Sequence, residues 1–467
     1  MRIEKEFRKT GYFWLPEHPE KRLPGTLTII NGGAVKLETI GMFHDKSVAN
    51  KELCEIGRIS GCIEDEGSVT LLNCAYKKKV IIHGLVVPLS KSEIDVGCAL
   101  IGADFSTDKE VVFNTLSFSI DCMDEWVGIS SIDVEMLEDR SVIIECTPKV
   151  GFIYELTNGM KLEFVFQHSL STSLTEAKVT QNILCKLSSD KPRTKAEYLQ
   201  VVRKISNFLS LAIGKSLDIK KITATSTDIS LRHNPFPWAQ QDEDVAISIY
   251  YKRTLATEKE LYVSHHEMLF TFGLIKSNFE KILNKWIDLY AILEPAFDLY
   301  FSTRFNPHKF SESKFLTLVQ GLETYHRRTT SEKLMDDAVF QTLIETIIST
   351  CPEDDKKWLS GRLKHGNEVS LKTRIIQIIE PLKKYIGDEK YITKLIWKIL
   401  NTRNYLTHYD ESLENSCAKG AALYEICLKM DVIFQLNFMK ILDFTDNEIE
   451  NAITNNSDFR SKLDFRA

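Results

Sequence analysis

No C-x-x-C pair occurs among the ten cysteines of this 467-residue chain, so the ligand spacing of the common structural zinc sites is missing. The start, Met1-Arg-Ile-Glu-Lys-Glu-Phe-Arg-Lys9, mixes both charge signs and lacks the apolar stretch of a secretory leader, so the cysteines read as reduced, partly buried thiols. Apolar runs are short. Val80-Ile-Ile-His-Gly-Leu-Val-Val87 falls far below the ~18 residues of a membrane span, and a cytoplasmic chain with no membrane segment is the expectation. Positive charge is in deficit as well: 59 Lys and Arg against 65 Asp and Glu leave a net −6, which excludes a generally basic nucleic-acid coating protein. There is no G-x-x-x-x-G-K-[ST] loop, no G-x-G-x-x-G after a strand, no H-E-x-x-H and no G-x-S-x-G elbow, so four widespread chemistries are set aside. Repeats and low-complexity segments are absent too. What remains is an ordinary globular composition, 43% hydrophobic and 27% charged, long enough for two or three domains with a sizeable core.

Two periodicities divide the chain and predict an α+β fold. Gly25-Thr-Leu-Thr-Ile-Ile30, the Asn31-Gly32-Gly33 turn and Ala34-Val-Lys-Leu-Glu-Thr-Ile40 form a hairpin pattern, because the Asn/Gly triplet tolerates the positive φ of a tight turn. The pattern recurs at Phe152, Tyr154 and Leu156, then, after Asn158-Gly159, at Met160, Leu162, Phe164 and Phe166, one apolar face per strand. Residues 111–120 and 141–146 add β-rich runs, and strand-like segments return near 217–230 and 245–252. Between them, Tyr198, Val201, Val202, Ile205, Phe208, Leu209 and Ala212 follow helical spacing. From about 265 onward the pattern is helical, over 265–302, 311–327, 332–350, 370–386, 389–408 and 417–442, with polar breaks such as Thr350-Cys-Pro-Glu-Asp-Asp355. The expected organisation is an antiparallel β-rich domain over 1–262, an all-α bundle over 263–450 and a loosely ordered tail over 451–467.

Chemistry-bearing groups are few. His265-His266-Glu267 offers metal-ligand types, but adjacent histidines on a helix point ~100° apart and no second ligand pair follows one turn on, so no metal is expected. Trp238, in Asn234-Pro-Phe-Pro-Trp238, reads as packing. The informative segment is Ile399-Leu-Asn-Thr-Arg-Asn-Tyr-Leu-Thr-His-Tyr-Asp410. Arg403 falls within the apolar stripe Ile392, Leu395, Ile396, Ile399 and Leu406, where a permanent charge must find partners and where its donor fork suits phosphate or carboxylate. His408 lies five residues on, ~140° around a regular helix, so the two converge only if the helix ends or distorts near Leu406 or a second subunit completes the site.

These residue types permit metal-independent RNA cleavage. Histidine takes the proton of a ribose 2′-hydroxyl or returns one to the leaving oxygen, arginine holds the scissile phosphate, and Asn404 orients one or the other. Lys383, Lys384, Lys390, Lys394, Lys398 and Arg403 stand against Asp388 and Glu389, a local charge of +4 that attracts RNA although the whole chain is acidic. The competing reading makes Arg403 the partner of a buried carboxylate and His408 a helix cap.

Arg403-Asn-Tyr-Leu-Thr-His408 on a late helix of an all-α domain resembles the R-x4-6-H signature of the HEPN superfamily. The helix from Phe315 to Arg328, with Arg362-Leu363 and 367–374 after it, is similar to the ApeA-like branch, and Gly11-Tyr-Phe-Trp-Leu-Pro16 with Pro24-Gly25-Thr26-Leu27 resembles the domain preceding HEPN in ApeA proteins. The resemblance implies a bacterial antiphage abortive-infection ribonuclease, without cofactor or metal, whose composite site forms at a homodimer interface. It carries Arg403 and His408 over as catalytic and Asn404 as a supporting residue. Glu323, Arg327 and Arg328 sit on the helix that family members place near the site; Arg327 and Arg328, with Lys394 and Lys398, are the expected RNA-binding residues. The RNA would be a tRNA or mRNA, and the β-rich domain a sensor of a phage-derived trigger. The alternative is a non-catalytic HEPN-like protein that binds RNA, a nucleotide or a partner.

Overall fold

The computed structural model describes residues 7–44, 55–82, 89–105, 110–229, 245–253, 260–304 and 311–464. The segment around Trp238 and residues 83–87 of the longest apolar run lie outside them. Strands β1 (Phe7–Trp14), β2 (Leu23–Ile29), β3 (Val35–Ile40), β4 (Glu55–Ile63), β5 (Gly67–Ile82) and β6 (Leu89–Ile101) join in the order β6-β3-β2-β1-β4-β5. Because the long β5 pairs with both β4 and β6, the six strands close into an antiparallel barrel. The first hairpin forms as its turn chemistry requires: Ile29 faces Val35, and Gly32 and Gly33 take φ of 90° and 74°. Period-two alternation then sends Leu27, Ile29, Val35 and Leu37 into a core shared with Phe13, Ile59, Val69, Leu71 and Ile94. Gly61 is needed where it stands, because a Cβ there would come within 2.5 Å of the Phe13 ring.

The chain continues through β7 (Val112–Ile120), α1 (Met123–Val127), β8 (Ile132–Met136), β9 (Val142–Cys146), β10 (Phe152–Glu155), β11 (Met160–Thr172), β12 (Ala177–Thr194), α2 (Lys195–Ile213), β13 (Ile219–Thr225) and β14 (Ile247–Tyr250). β14 pairs with β6 and extends the sheet through β13, β7, β12 and β11 to β10. The expected Asn158-Gly159 hairpin is present, with Phe152 opposite Phe164. The β-rich run at 141–146 is a strand too, and among the described residues it pairs with β8 in a separate two-stranded ribbon. α2 opens on a capping box, in which Thr194 Oγ1 accepts from the Glu197 N–H and the Glu197 carboxylate accepts from the Thr194 N–H.

Contacts divide the chain into two compact units, Met1–Asn284 and Lys285–Ala467, whereas periodicity places the change at 262/263. The reason is aromatic packing. Phe272 in α3 (Phe272–Ile275) and Phe279 at the start of α4 (Phe279–Arg304) surround Trp126 with Phe164 and Phe208, ring centres 5.6–6.3 Å away, and the indole N–H donates to Phe270 O at 3.0 Å. Residues with helical spacing thus complete the core of the β unit. His265–Glu267 is a 3-10 turn, not part of a long helix.

The second unit continues with α5 (Ser311–Thr329), α6 (Asp337–Thr350), α7 (Glu353–Leu363), α8 (Leu371–Ile379), α9 (Lys383–Ile386), α10 (Glu389–His408), α11 (Gly420–Ile441), α12 (Asp446–Asn455) and α13 (Ser457–Asp464). Its core is aromatic: Trp286 and Phe297 lie 4.5 Å apart, and Tyr300, Phe434 and Phe438 stack around them. The polar break at 350–355 does end α6, and it also opens α7, a helix absent from the periodic segments, since Pro352 precedes three carboxylates, Glu353, Asp354 and Asp355, that suit a helix N-terminus. One sequence expectation is corrected. The tail at 451–467 is helical through Asp464, held by buried Phe459 and by Lys462, whose ammonium lies 3.0 Å from Asp431.

Candidate functional site

α10 carries the Arg/His pair. Asp388 caps its first turn by accepting from the Tyr391 N–H at 2.7 Å. Ile392, Leu395, Ile396, Ile399 and Leu400 bury one face. Thr402, fully buried, donates to Lys398 O at 2.6 Å and accepts from the Ala418 N–H at 2.8 Å, tying the following loop back onto the helix. Tyr409 ends α10 in the left-handed conformation, φ 51°, its N–H on Tyr405 O.

The helix therefore runs unbroken through His408 and ends at Tyr409, so of the two alternatives, an end or distortion near Leu406 or a second subunit, no break falls between Arg403 and His408. On a regular helix Arg403 and His408 stand ~140° apart and ~7.5 Å along the axis, so one chain does not aim both at a common point. Arg403 is half-buried. Its Nη1 donates to Asn404 Oδ1 at 3.1 Å, and among the described residues no carboxylate is paired with it. Asn404 is one turn from His408 and on the same side of the helix, so it bridges the two directions. His408 is exposed, makes no hydrogen bond among the described residues, and is not the helix cap. Nearby Asp410 is held below the usual carboxylate range by its bonds from Ser412 Oγ and N–H, with a contribution from the charge of His408.

The expected RNA-contacting residues separate into two groups. Lys394, exposed, and Lys398, half-buried, lie on α10 with no ion-pair partner among the described residues. Arg328 is likewise exposed and unpaired among them, but Arg327 is committed to Glu323 at 3.1 Å and Glu368 at 2.5 Å. That pairing belongs to a network that sequence reading passed over. Buried His326 on α5 places Nε2 2.6 Å from Gln377 Oε1 and Nδ1 3.2 Å from Arg374 Nη1, and Arg374 lies 3.5 Å from Glu368. Burial lowers the His326 pKa and the facing Arg374 adds to the effect, so the ring is neutral with Nε2 donating to Gln377. The signal available was His326 itself, which falls with Phe315, Leu318, Val319, Leu322 and Tyr325 on the buried face of α5, where a titratable ring needs partners.

In the β unit, a concavity of about 930 Å³ is lined from β1 to β6 by residues including Tyr12, Ile40, Lys78, Lys91 and Glu93. His265 and His266 stack at 3.9 Å, and Glu267 caps their turn by accepting from the Ser264 N–H. Among the described residues no group of three or more His, Cys, Asp or Glu side chains is placed to hold a metal ion, and no helix is long and apolar enough to cross a membrane.

Comparison with known proteins gives two family-model matches, ApeA N-terminal domain 1 over residues 8–286 and Apea-like HEPN over residues 316–448. Neither a curated protein nor a solved structure matches the chain. The first match ends close to the division between the two compact units, and the second contains α10 entire. By these two matches, which together take in most of its length, the chain belongs to the ApeA family, an ApeA N-terminal domain followed by an Apea-like HEPN domain.

Proposed function

We propose that the protein is a metal-independent endoribonuclease of antiphage abortive infection, cutting RNA at a site made from Arg403 of one protomer and His408 of the other in a homodimer. An Apea-like HEPN domain accords with nucleotide- or RNA-related function. The observation that carries the finer reading is Arg403 itself: a guanidinium half-buried on an apolar helix face with one neutral partner, Asn404, and no carboxylate among the described residues. Such a group is a ready receptor for a phosphate.

In the mechanism, His408 takes the proton of the ribose 2′-hydroxyl, the 2′-oxygen attacks the adjacent phosphorus, and the bond to the 5′-oxygen breaks. Arg403 stabilises the charge that builds on the non-bridging oxygens. A proton then returns to the leaving 5′-oxygen, leaving a 2′,3′-cyclic phosphate on one fragment and a 5′-hydroxyl on the other. Asn404, its Oδ1 engaged by Arg403, offers its amide N–H groups to the phosphate. Lys394, Lys398 and Arg328 supply unpaired positive charge for the RNA backbone, and Arg327 acts through Glu323 and Glu368 as a structural ion pair. The β unit, with its wide concavity, would sense the phage-derived trigger in the cytoplasm.

The test is total RNA incubated with purified wild type, Arg403→Ala and His408→Ala. Cleavage by the wild type alone, with cyclic-phosphate ends, is expected; equal cleavage by all three would sink the reading. The unpaired lysines also favour a second reading, a non-catalytic RNA-binding module. Under it, His408→Ala keeps full antiphage activity and Lys394→Ala with Lys398→Ala loses it.

A further inference from the structure

Upstream of the candidate site, α10 presents features that the cleavage chemistry does not use. Trp397 is half exposed, an unusual setting for the largest aromatic side chain. It walls a groove of about 330 Å³ between α8 and α10, floored by Ile376, Ile379, Ile392 and Ile396. Lys372 Nζ lies 4.5 Å from the centre of the Trp397 ring. Glu389, on the groove's rim, makes no ion pair or side-chain hydrogen bond among the described residues, and its charge reaches Lys383 across the groove only at longer range. Lys390, Lys394 and Lys398 follow on the same helix, also unpaired among them. Counting ~100° per residue, Trp397 stands within ~20° of both Asn404 and His408, so the three share one stripe of α10.

We propose that this groove is a nucleobase subsite: one base of a single-stranded RNA stacks on Trp397, and the Glu389 carboxylate accepts from its exocyclic amino group. The inference rests on the ribonuclease reading for its substrate class and deepens it. An aromatic wall over an apolar floor suits the π-face of any base, while a free carboxylate favours the amino-bearing bases adenine, cytosine and guanine over uracil. As the base takes its place on the ring, the Lys372 ammonium moves to the neighbouring phosphate; Lys398, one residue past Trp397, meets the backbone on the His408 side, and Lys394, three residues before Trp397, meets it on the other. From Trp397 to His408 the helix rises ~16 Å, about five stacked nucleotides at ~3.4 Å each and fewer if the strand is extended. The subsite thus holds RNA a few nucleotides from the cut and gives longer strands an advantage over short ones.

The experiment measures binding of labelled twelve-nucleotide oligo(A), oligo(C) and oligo(U) to the full chain carrying His408→Ala, with and without Trp397→Ala, Trp397→Phe or Glu389→Gln. Trp397→Ala is expected to weaken oligo(A) and oligo(C) about tenfold, the loss of one stacked base. Trp397→Phe should stay within about threefold, and Glu389→Gln should narrow the preference over oligo(U). Equal binding by Trp397→Ala, with an unchanged thermal melt, overturns the proposal. So does a switch of Trp397→Ala from dimer to monomer in sedimentation, which would make the groove a protein interface. Trp397-dependent binding without any cleavage by the wild type would keep the subsite and remove the ribonuclease reading.

Discussion

Arg403 and Asp431 show what a partner does for a charge taken out of water. Asp431 is largely buried, which alone would raise its pKa, but Arg304 at 2.8 Å and Lys462 at 3.0 Å hold the carboxyl well below the usual carboxylate range, and Tyr300 donates a further hydrogen bond. This is a completed structural network. Removing its centre with Asp431→Ala should cost about 3–5 kcal/mol in urea or thermal unfolding, because Arg304 loses the carboxylate beside it and Lys462 is left with Asp458 alone of its two. Arg403 has no such closure, and its substitution should have the opposite signature. Arg403→Ala and His408→Ala are each expected to lower cleavage by about 10²–10³-fold with little change in melting temperature. Arg403→Lys, which keeps the charge but not the planar fork, should recover only part of the loss. A drop in stability as large as that of Asp431→Ala would mark Arg403 as structural instead.

At the scale of elements, α5 and α8 are joined through His326, a buried ring whose pKa is lowered first by burial. The sign of its effect on stability follows. As pH falls through the ordinary histidine value of 6.5, the unfolded chain takes up a proton that the folded ring refuses, so stability is complete above that pH and declines below it. A melting series from pH 8 to pH 5.5 should show a fall that His326→Gln reduces; an identical slope in the variant would exclude the assignment. Elements also show where sequence reading succeeds. The hairpins were legible because the Asn/Gly turns and the period-two alternation state the same register. α10 was legible from its stripe, and Arg403, Asn404 and His408 from residue type and spacing. The boundary was not, because Phe272 and Phe279 have helical spacing yet pack around Trp126 of the β unit. Nor was α13, whose position depends on Lys462 meeting Asp431, 31 residues away in sequence. Local pattern carries no record of such a pair. Deleting residues 456–467 removes Phe459 and Lys462 together, and should lower the melting temperature of the protein by several degrees.

For the molecule as a whole, the net charge of −6 conceals a helix whose Lys390, Lys394 and Lys398 have no ion-pair partner among the described residues, and the two units carry separate tasks in the proposed function: sensing in the ApeA N-terminal domain and cleavage in the HEPN domain. The regular course of α10 makes the dimer a requirement of the mechanism, since ~140° of helix separates the arginine from the histidine in one chain. A composite site has a specific consequence when differently disabled chains are mixed. In a dimer of Arg403→Ala with His408→Ala, one site lacks both groups and the other has both. Each variant alone has none intact. The most direct measurement is therefore the cleavage activity of the two variants co-expressed and purified together. Random pairing should restore about a quarter of the wild-type rate, half of the dimers carrying one good site of two. No recovery beyond either variant alone, with mixed dimers shown to be present, would contradict the account.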